Sequence, residues 1–98
     1  KSSALLTSIL SKTMPINFRS KLHQKLLRYY FANPDTEHYV RELSRVLSFS
    51  AALISRELKI LARHGIFTSS ERSREKYYRL NQKYPLYNEI KAMVEYMK

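Results

Sequence analysis

A single glycine, Gly65, divides this chain of 98 residues, and the hydrophobic pattern changes where it stands. Before it, apolar residues recur every three or four positions. Ile54, Leu58 and Leu61 are the clearest series, spaced four and three, which marks the buried stripe of an amphipathic helix. After it come two β-prone runs, Ile66 to Glu71 and Lys76 to Leu80, with the polar stretch Arg72-Ser73-Arg74-Glu75 between them. A glycine at such a junction is expected just beyond the helix, at C′, where the backbone turns left-handed and a side chain would be strained. The two runs behind it read as a hairpin with a charged four-residue tip. One glycine also leaves no glycine-rich loop for phosphate.

The same rules place the other elements. Leu5, Leu6, Ile9 and Leu10 suit a short amphipathic helix within 1–14, stopped by Pro15. A second helix is expected over 18–32, with Leu22, Leu26, Leu27, Tyr30 and Phe31 on its apolar face and Arg19, Lys21, Lys25 and Arg28 mainly opposite. Asn33-Pro34-Asp35 ends it. Glu37 to Val40 is short and β-prone, and Val40 to Leu47 reads as a helix. Ser48-Phe49 is a minimal linker, and Ser50 is a good N-cap for a long helix reaching His64. Pro85 suits the first turn of a last helix, whose seam is Leu86, Ile90, Met93 and Met97 with Tyr87 and Val94 beside it. Two helices joined by a tight turn make a helix-turn-helix, and a basic hairpin directly after the second is a wing. The expected fold is mainly α with a small β-hairpin: a winged helix-turn-helix with a three-helix core plus wing and extra N- and C-terminal helices.

Charge gives the first functional direction. Eighteen Lys and Arg oppose eight Asp and Glu, a net of +10. Between Ser50 and Lys83 there are eight basic and three acidic residues, a net of +5, so half the excess lies in about a third of the chain. A localised excess of this kind is the footprint expected of a polyanion-binding surface. With no cysteine, disulfides, thiolate metal sites and cysteine nucleophiles are excluded, and a reducing cytoplasm is the expected compartment. No apolar run approaches the ~20 residues of a membrane span, and no secretory leader pattern is visible. The sequence begins at Lys1 rather than Met, so a flanking segment belonging to a longer protein is an open expectation.

The string Tyr39-Val40-Arg41-Glu42-Leu43-Ser44-Arg45-Val46-Leu47-Ser48-Phe49-Ser50, then Ile54-Ser55-Arg56-Glu57-Leu58-Lys59-Ile60-Leu61 and His64-Gly65-Ile66-Phe67, resembles the small winged helix-turn-helix regulators of bacteria and archaea, of the arsenic-repressor-like and MarR-like type. The ending Tyr77-Tyr78-Arg79-Leu80-Asn81, then Tyr84-Pro85-Leu86-Tyr87, resembles a subgroup often encoded beside or fused to a nucleotidyltransferase domain, which is not present in these residues. The resemblance, over 18–97, implies a double-stranded DNA-binding transcription regulator that acts as a homodimer. Two departures matter. Relatives often have glycine where this chain has Ser48, a substitution costing roughly 1 kcal/mol if the position is left-handed. Metal-sensing relatives carry cysteine and histidine ligand sets, and none with suitable spacing stands here, so no metal or other cofactor is expected.

On this reading 1–17 is a helical extension and candidate dimerisation arm, 18–84 the DNA-binding domain, and 85–98 a C-terminal helix that is a second candidate for dimerisation. The second helix of a helix-turn-helix lies in the major groove and presents its N-terminal residues to base edges. Here those are Ser50, Ala51, Ala52, Ser55, Arg56 and Lys59. The small alanines admit the helix deeply and suit thymine methyls, while Arg56 has the reach for a bidentate contact to guanine. The hairpin adds Arg72, Arg74, Lys76 and Arg79, with Arg72 and Arg74 as candidates for insertion into a minor groove. Tyr78 and Leu80 are expected inward and Arg79 outward. Arg41, Arg45, Lys21 and Lys25 are candidates for phosphate contacts that position without specifying.

Competing readings attach to the same residues. An ordinary surface helix and a solvated hairpin would also carry these charges. Eight tyrosines fit single-strand stacking, although Tyr29, Tyr30, Tyr39, Tyr78 and Tyr87 are better explained as packing with a polar tip. The histidines His23, His38 and His64 lie on three elements and are read as lacking a histidine or carboxylate one turn on; Glu42 and Glu57 are read as pairing with neighbouring arginines. No nucleophile–base–orienter set is legible, so catalysis is not expected. No effector pocket is legible either. Alternatives to a regulator are a winged-helix module that binds protein, and the DNA-binding partner of a nucleotidyltransferase or toxin–antitoxin pair.

Overall fold

A computed structural model describes residues 16–97. The helix expected within 1–14, and with it the candidate dimerisation arm, lies outside the described residues. The described chain runs α1 (Lys21–Ala32), β1 (Glu37–Tyr39), α2 (Val40–Leu47), α3 (Ala51–Arg63), β2 (Phe67–Arg72), β3 (Glu75–Leu80) and α4 (Tyr87–Tyr96). The three strands form one antiparallel sheet in the order β1-β3-β2. This is the winged-helix arrangement.

Helix α1 starts three residues later than its apolar pattern suggests. The Asn17 side-chain carbonyl accepts the Arg19 N–H at 3.0 Å, and the Ser20 hydroxyl accepts the His23 N–H at 3.2 Å. Those side-chain bonds hold Phe18 and Arg19 in a turn and make Ser20 the N-cap. From there α1 buries Leu22, Leu26, Leu27 and Tyr30. Against this face pack Leu43 and Leu47 of α2, Ile54, Leu58 and Leu61 of α3, Ile66 just before β2, and Phe67, Tyr78 and Leu80 of the sheet. Each such aliphatic side chain contributes about 1.5–3 kcal/mol by leaving water.

The end of α3 follows the glycine. Gly65 has φ +88°, the Ile66 N–H bonds the Leu61 carbonyl and the Gly65 N–H bonds that of Ala62, each at 3.0 Å. This pair of bonds is the Schellman motif. A Cβ on Gly65 would sit 3.7 Å from the Tyr84 ring, which is ordinary contact, so the requirement for glycine is conformational and not steric.

Three expectations need correction. The four-residue hairpin tip is a two-residue turn: Arg72 and Glu75 are paired strand residues, and only Ser73 and Arg74 turn, both with positive φ. Strand pairing reaches further because a turn with both central residues left-handed matches the twist of the strands. Pro85 lies ahead of α4 and not in its first turn, since 84–86 form a separate turn in which the Tyr87 N–H bonds the Tyr84 carbonyl at 2.9 Å. The seam of α4 is centred on Ile90 and Val94, which are buried, with Met93 and Met97 only partly covered. This helix packs on α1: the Phe31 and Tyr87 rings are 5.2 Å apart, and Arg28 Nη2 donates to the Met97 carbonyl at 3.1 Å.

Candidate nucleic-acid interface

With Ile54, Leu58 and Leu61 turned inward, the opposite face of α3 is set by the helical period. Ala52, Arg56, Lys59 and Arg63, spaced four, three and four, are all exposed along it. Ser55 and Ile60 flank them, and the six line a shallow trough of about 560 Å³. Ala51 is half-buried beside Ala52, so the N-terminal turn presents little more than backbone and methyl groups. Arg63 completes this stripe beyond the expected contact residues, and the same spacing that picks Arg56 and Lys59 picks it too.

The turn before α3 holds the helix at a fixed angle. Ser48 is left-handed at φ 62° and ψ 44°, the conformation for which relatives favour glycine. The Ser44 hydroxyl donates to the Phe49 carbonyl at 2.6 Å, and Ser50 caps α3 by accepting the Leu53 N–H at 3.2 Å. Lys25 lies 5.5 Å from the centre of the Phe49 ring.

A polar strut ties α3 to α1. His23 is 4% exposed; its Nδ1 accepts the Asn17 N–H at 2.9 Å, and its Nε2 lies 2.8 Å from Glu57 Oε1. Because Nδ1 accepts, the ring proton sits on Nε2 and is donated to the carboxylate. The other Glu57 oxygen is 3.5 Å from Arg56 Nε, and Arg56 keeps most of its side chain in solvent. An open depression of about 390 Å³ beside this strut is lined by Ser20, Lys21, Phe49 and Arg56 among others. The pairing of Glu57 solely with an arginine neighbour is thus corrected, and so are the two readings for His38 and Glu42. Those two are four residues apart and meet at 3.0 Å, with His38 Nε2 2.9 Å from the Thr36 hydroxyl. The His38–Glu42 spacing was visible in the sequence; the His23–Glu57 pair, 34 residues apart, was not.

The wing divides its residues by strand parity. Tyr78 and Leu80 face the core as expected, at 1% and 4% exposure. Tyr30 donates its hydroxyl to the Tyr78 carbonyl at 2.7 Å. Burial first, and then the Glu42 carboxylate, push the Tyr30 phenol well above its ordinary range. Tyr87 is raised too, by burial and by Asp35. Lys76 shares the parity of Tyr78, exposed, with its ammonium 5.8 Å from that ring's centre. Arg74 occupies the turn itself, exposed and left-handed at φ 66°. Arg72 ends β2 and reaches Glu37 at 2.8 Å. Arg79 is exposed at the opposite end of β3 and donates to the Asp35 carbonyl at 2.9 Å, while Gln82 bonds the Pro34 carbonyl and the Asp35 carboxylate. Asn81 closes the base of the wing, its side chain on the Gly65 carbonyl at 2.8 Å and its N–H on that of Ile66 at 3.0 Å.

Among the described residues no group of three metal-ligating side chains converges, and no helix is long and apolar enough to cross a membrane. No protein-family model matches the chain, and no curated protein does. The chain is similar to the solved structure of HlyU from Vibrio cholerae N16961, with 25% identity, 99% of this chain and 92% of that chain covered, and a TM-score of 0.60. The two share the winged-helix fold.

Proposed function

We propose that this chain is a sequence-specific transcription regulator that binds double-stranded DNA as a homodimer, with α3 in the major groove and the wing on the minor groove or the backbone. The observation that carries this reading is the exposed stripe Ala52, Arg56, Lys59 and Arg63 on the second helix of a helix-turn-helix. An ordinary solvated face is polar too, but it mixes charges of both signs; this stripe holds three cations, one small residue and no acid, as a groove-reading helix needs for close approach and for contacts to base edges and phosphates. The likeness to HlyU supports the winged-helix regulator class.

The roles divide by position. Ser50, Ala51, Ala52, Ser55 and Arg56 stand in the first turns of α3, where base edges are read, and Lys59 and Arg63 follow along the phosphate flank. Arg74 is the foremost wing contact. Its backbone supports this, since an arginine in a left-handed turn position is one that glycine would fill with less strain, and strain retained at an exposed tip points to use of the side chain. Lys76 and Arg79 add positive field along β3.

Selection from a random duplex library, followed by affinity measurement at fixed salt, tests the reading. Arg56→Ala is expected to relax preference at one base pair, by about 1–3 kcal/mol. Arg74→Ala is expected to weaken binding evenly across sequences. If the parent selected no sequence, or if both variants bound like the parent, the proposal would fail.

A further inference from the structure

Two crossed ion pairs lie at the outward face of the wing. Strand parity puts Glu37, Tyr39, Arg72, Glu75, Tyr77 and Arg79 on that face, Arg79 being held by the Asp35 carbonyl, and Arg41 reaches it from α2. Arg72 and Glu75 are direct cross-strand partners, the natural place for an ion pair. Each is instead paired elsewhere. Arg72 Nη1 reaches Glu37 on β1 at 2.8 Å, its guanidinium 4.2 Å from the centre of the Tyr77 ring. Glu75 takes Arg41 of α2. The arginine side chains are 52% and 71% exposed, and their carboxylate partners 28% and 24%. The cations therefore face solvent while the anions beneath them are sheltered.

Exposed ion pairs are weak and exchange readily, so these make poor struts. Their stronger effect is on charge: each carboxylate cancels one cation within the basic footprint. Sequence-independent affinity for a duplex comes from cations that neutralise phosphates and release counterions. Resting on the DNA-binding reading above, we propose that Glu37 and Glu75 are specificity-tuning residues that hold Arg72 and Arg41 off the phosphate backbone. They suppress non-specific binding and leave the α3 stripe and Arg74 to carry the contacts. The occupant withheld is the duplex phosphate backbone, and the device is the swapped pairing at the wing.

Four forms of the full chain test this: the parent, Glu37→Gln/Glu75→Gln, the same pair with Arg41→Gln/Arg72→Gln added, and a charge-matched control, Glu89→Gln/Glu95→Gln on α4. The first readout is affinity for a random-sequence duplex across a salt series. The wing variant is expected to bind about five-fold tighter or more than the control, and its plot of log affinity against log salt to steepen by about one to two units. Adding the arginine substitutions should abolish the gain. Equal affinities and slopes for the wing variant and the control would overturn the inference while leaving the DNA-binding reading intact. The second readout is elution from immobilised heparin in a salt gradient. If the parent bound no duplex, later elution of the wing variant than of the control would sustain the inference for polyanions and sink the DNA reading. Co-elution of the two would overturn the inference.

Discussion

Single residues in this domain act through the backbone groups they satisfy. Tyr30 is the clearest case, being fully buried with its hydroxyl on the Tyr78 carbonyl, a bond that joins α1 to β3. Tyr30→Phe removes the donor and leaves that carbonyl short of a partner, at a cost of about 1–3 kcal/mol at neutral pH. The pH dependence follows from the raised phenol. A folded-state value above the unfolded one gives stability that is fully present below the unfolded value, ~10, and is lost as pH climbs past it, because only the unfolded chain can then release the proton. Urea unfolding at neutral and at strongly alkaline pH should show the gap between parent and Tyr30→Phe shrinking as pH rises. A gap of equal size at both would show that burial does not hold this phenol neutral. The His23 and Asn81 bonds work on the same principle, each satisfying backbone groups where two elements meet.

At the scale of elements, the hairpin is where local rules and use diverge. A two-residue turn with both φ angles positive favours Asn-Gly, yet this chain has Ser73-Arg74. Left-handed non-glycine residues cost roughly 1–2 kcal/mol each. Arg74→Gly is therefore expected to stabilise the domain by about 0.5–1 kcal/mol, after the greater unfolded-state freedom of glycine is subtracted, and to weaken duplex binding. Thermal unfolding and affinity measured on the same sample check the two opposite signs. Loss of both stability and affinity would mean that the Arg74 side chain supports the turn itself. Helix α3 shows the reverse situation, where every local signal agrees. Its Ser50 cap, its apolar spacing and its Gly65 stop all point to one helix, and its sequence-predicted bounds fall within a residue of those observed. The sheet was less legible. β1 has three residues, too few to announce a partner, and it becomes a strand because β3 offers an unpaired edge to Glu37, His38 and Tyr39.

For the whole molecule, the question is which apolar surface remains for a second copy. Ile90 and Val94 of α4 are used against α1, so the seam read from the sequence is largely spent on the monomer's own core. The large apolar side chains left exposed among the described residues are Val46 and, at the end of α4, Tyr96 at 88% exposure. The stretch with Leu5, Leu6, Ile9 and Leu10 lies beyond them. Under the proposed function, light scattering behind size exclusion should give twice the chain mass at micromolar concentration. Leu6→Glu/Ile9→Glu should yield monomer with duplex affinity much reduced, because half-sites roughly one turn (~34 Å) apart are read cooperatively only by a joined pair. A parent that runs as a monomer at every concentration would remove the homodimer from the proposal.

What the sequence determined by itself is whatever depends on neighbours three or four residues away. Periodicity, capping hydroxyls and one glycine fixed the helices, the tight turn and the exposed basic stripe of α3, since helix geometry converts spacing directly into a face. Tertiary structure alone decided the charge pairs between distant segments. Arg72 with Glu37, Arg41 with Glu75 and His23 with Glu57 are each more than 30 residues apart, and each pair meets only because the sheet and the helix packing bring its elements together. A charged side chain is long and flexible, and its partner is set by where the backbone puts the opposite charge, which no local pattern encodes. The lone Gly65 could be read from the sequence for that same reason: it answers a demand of its own helix.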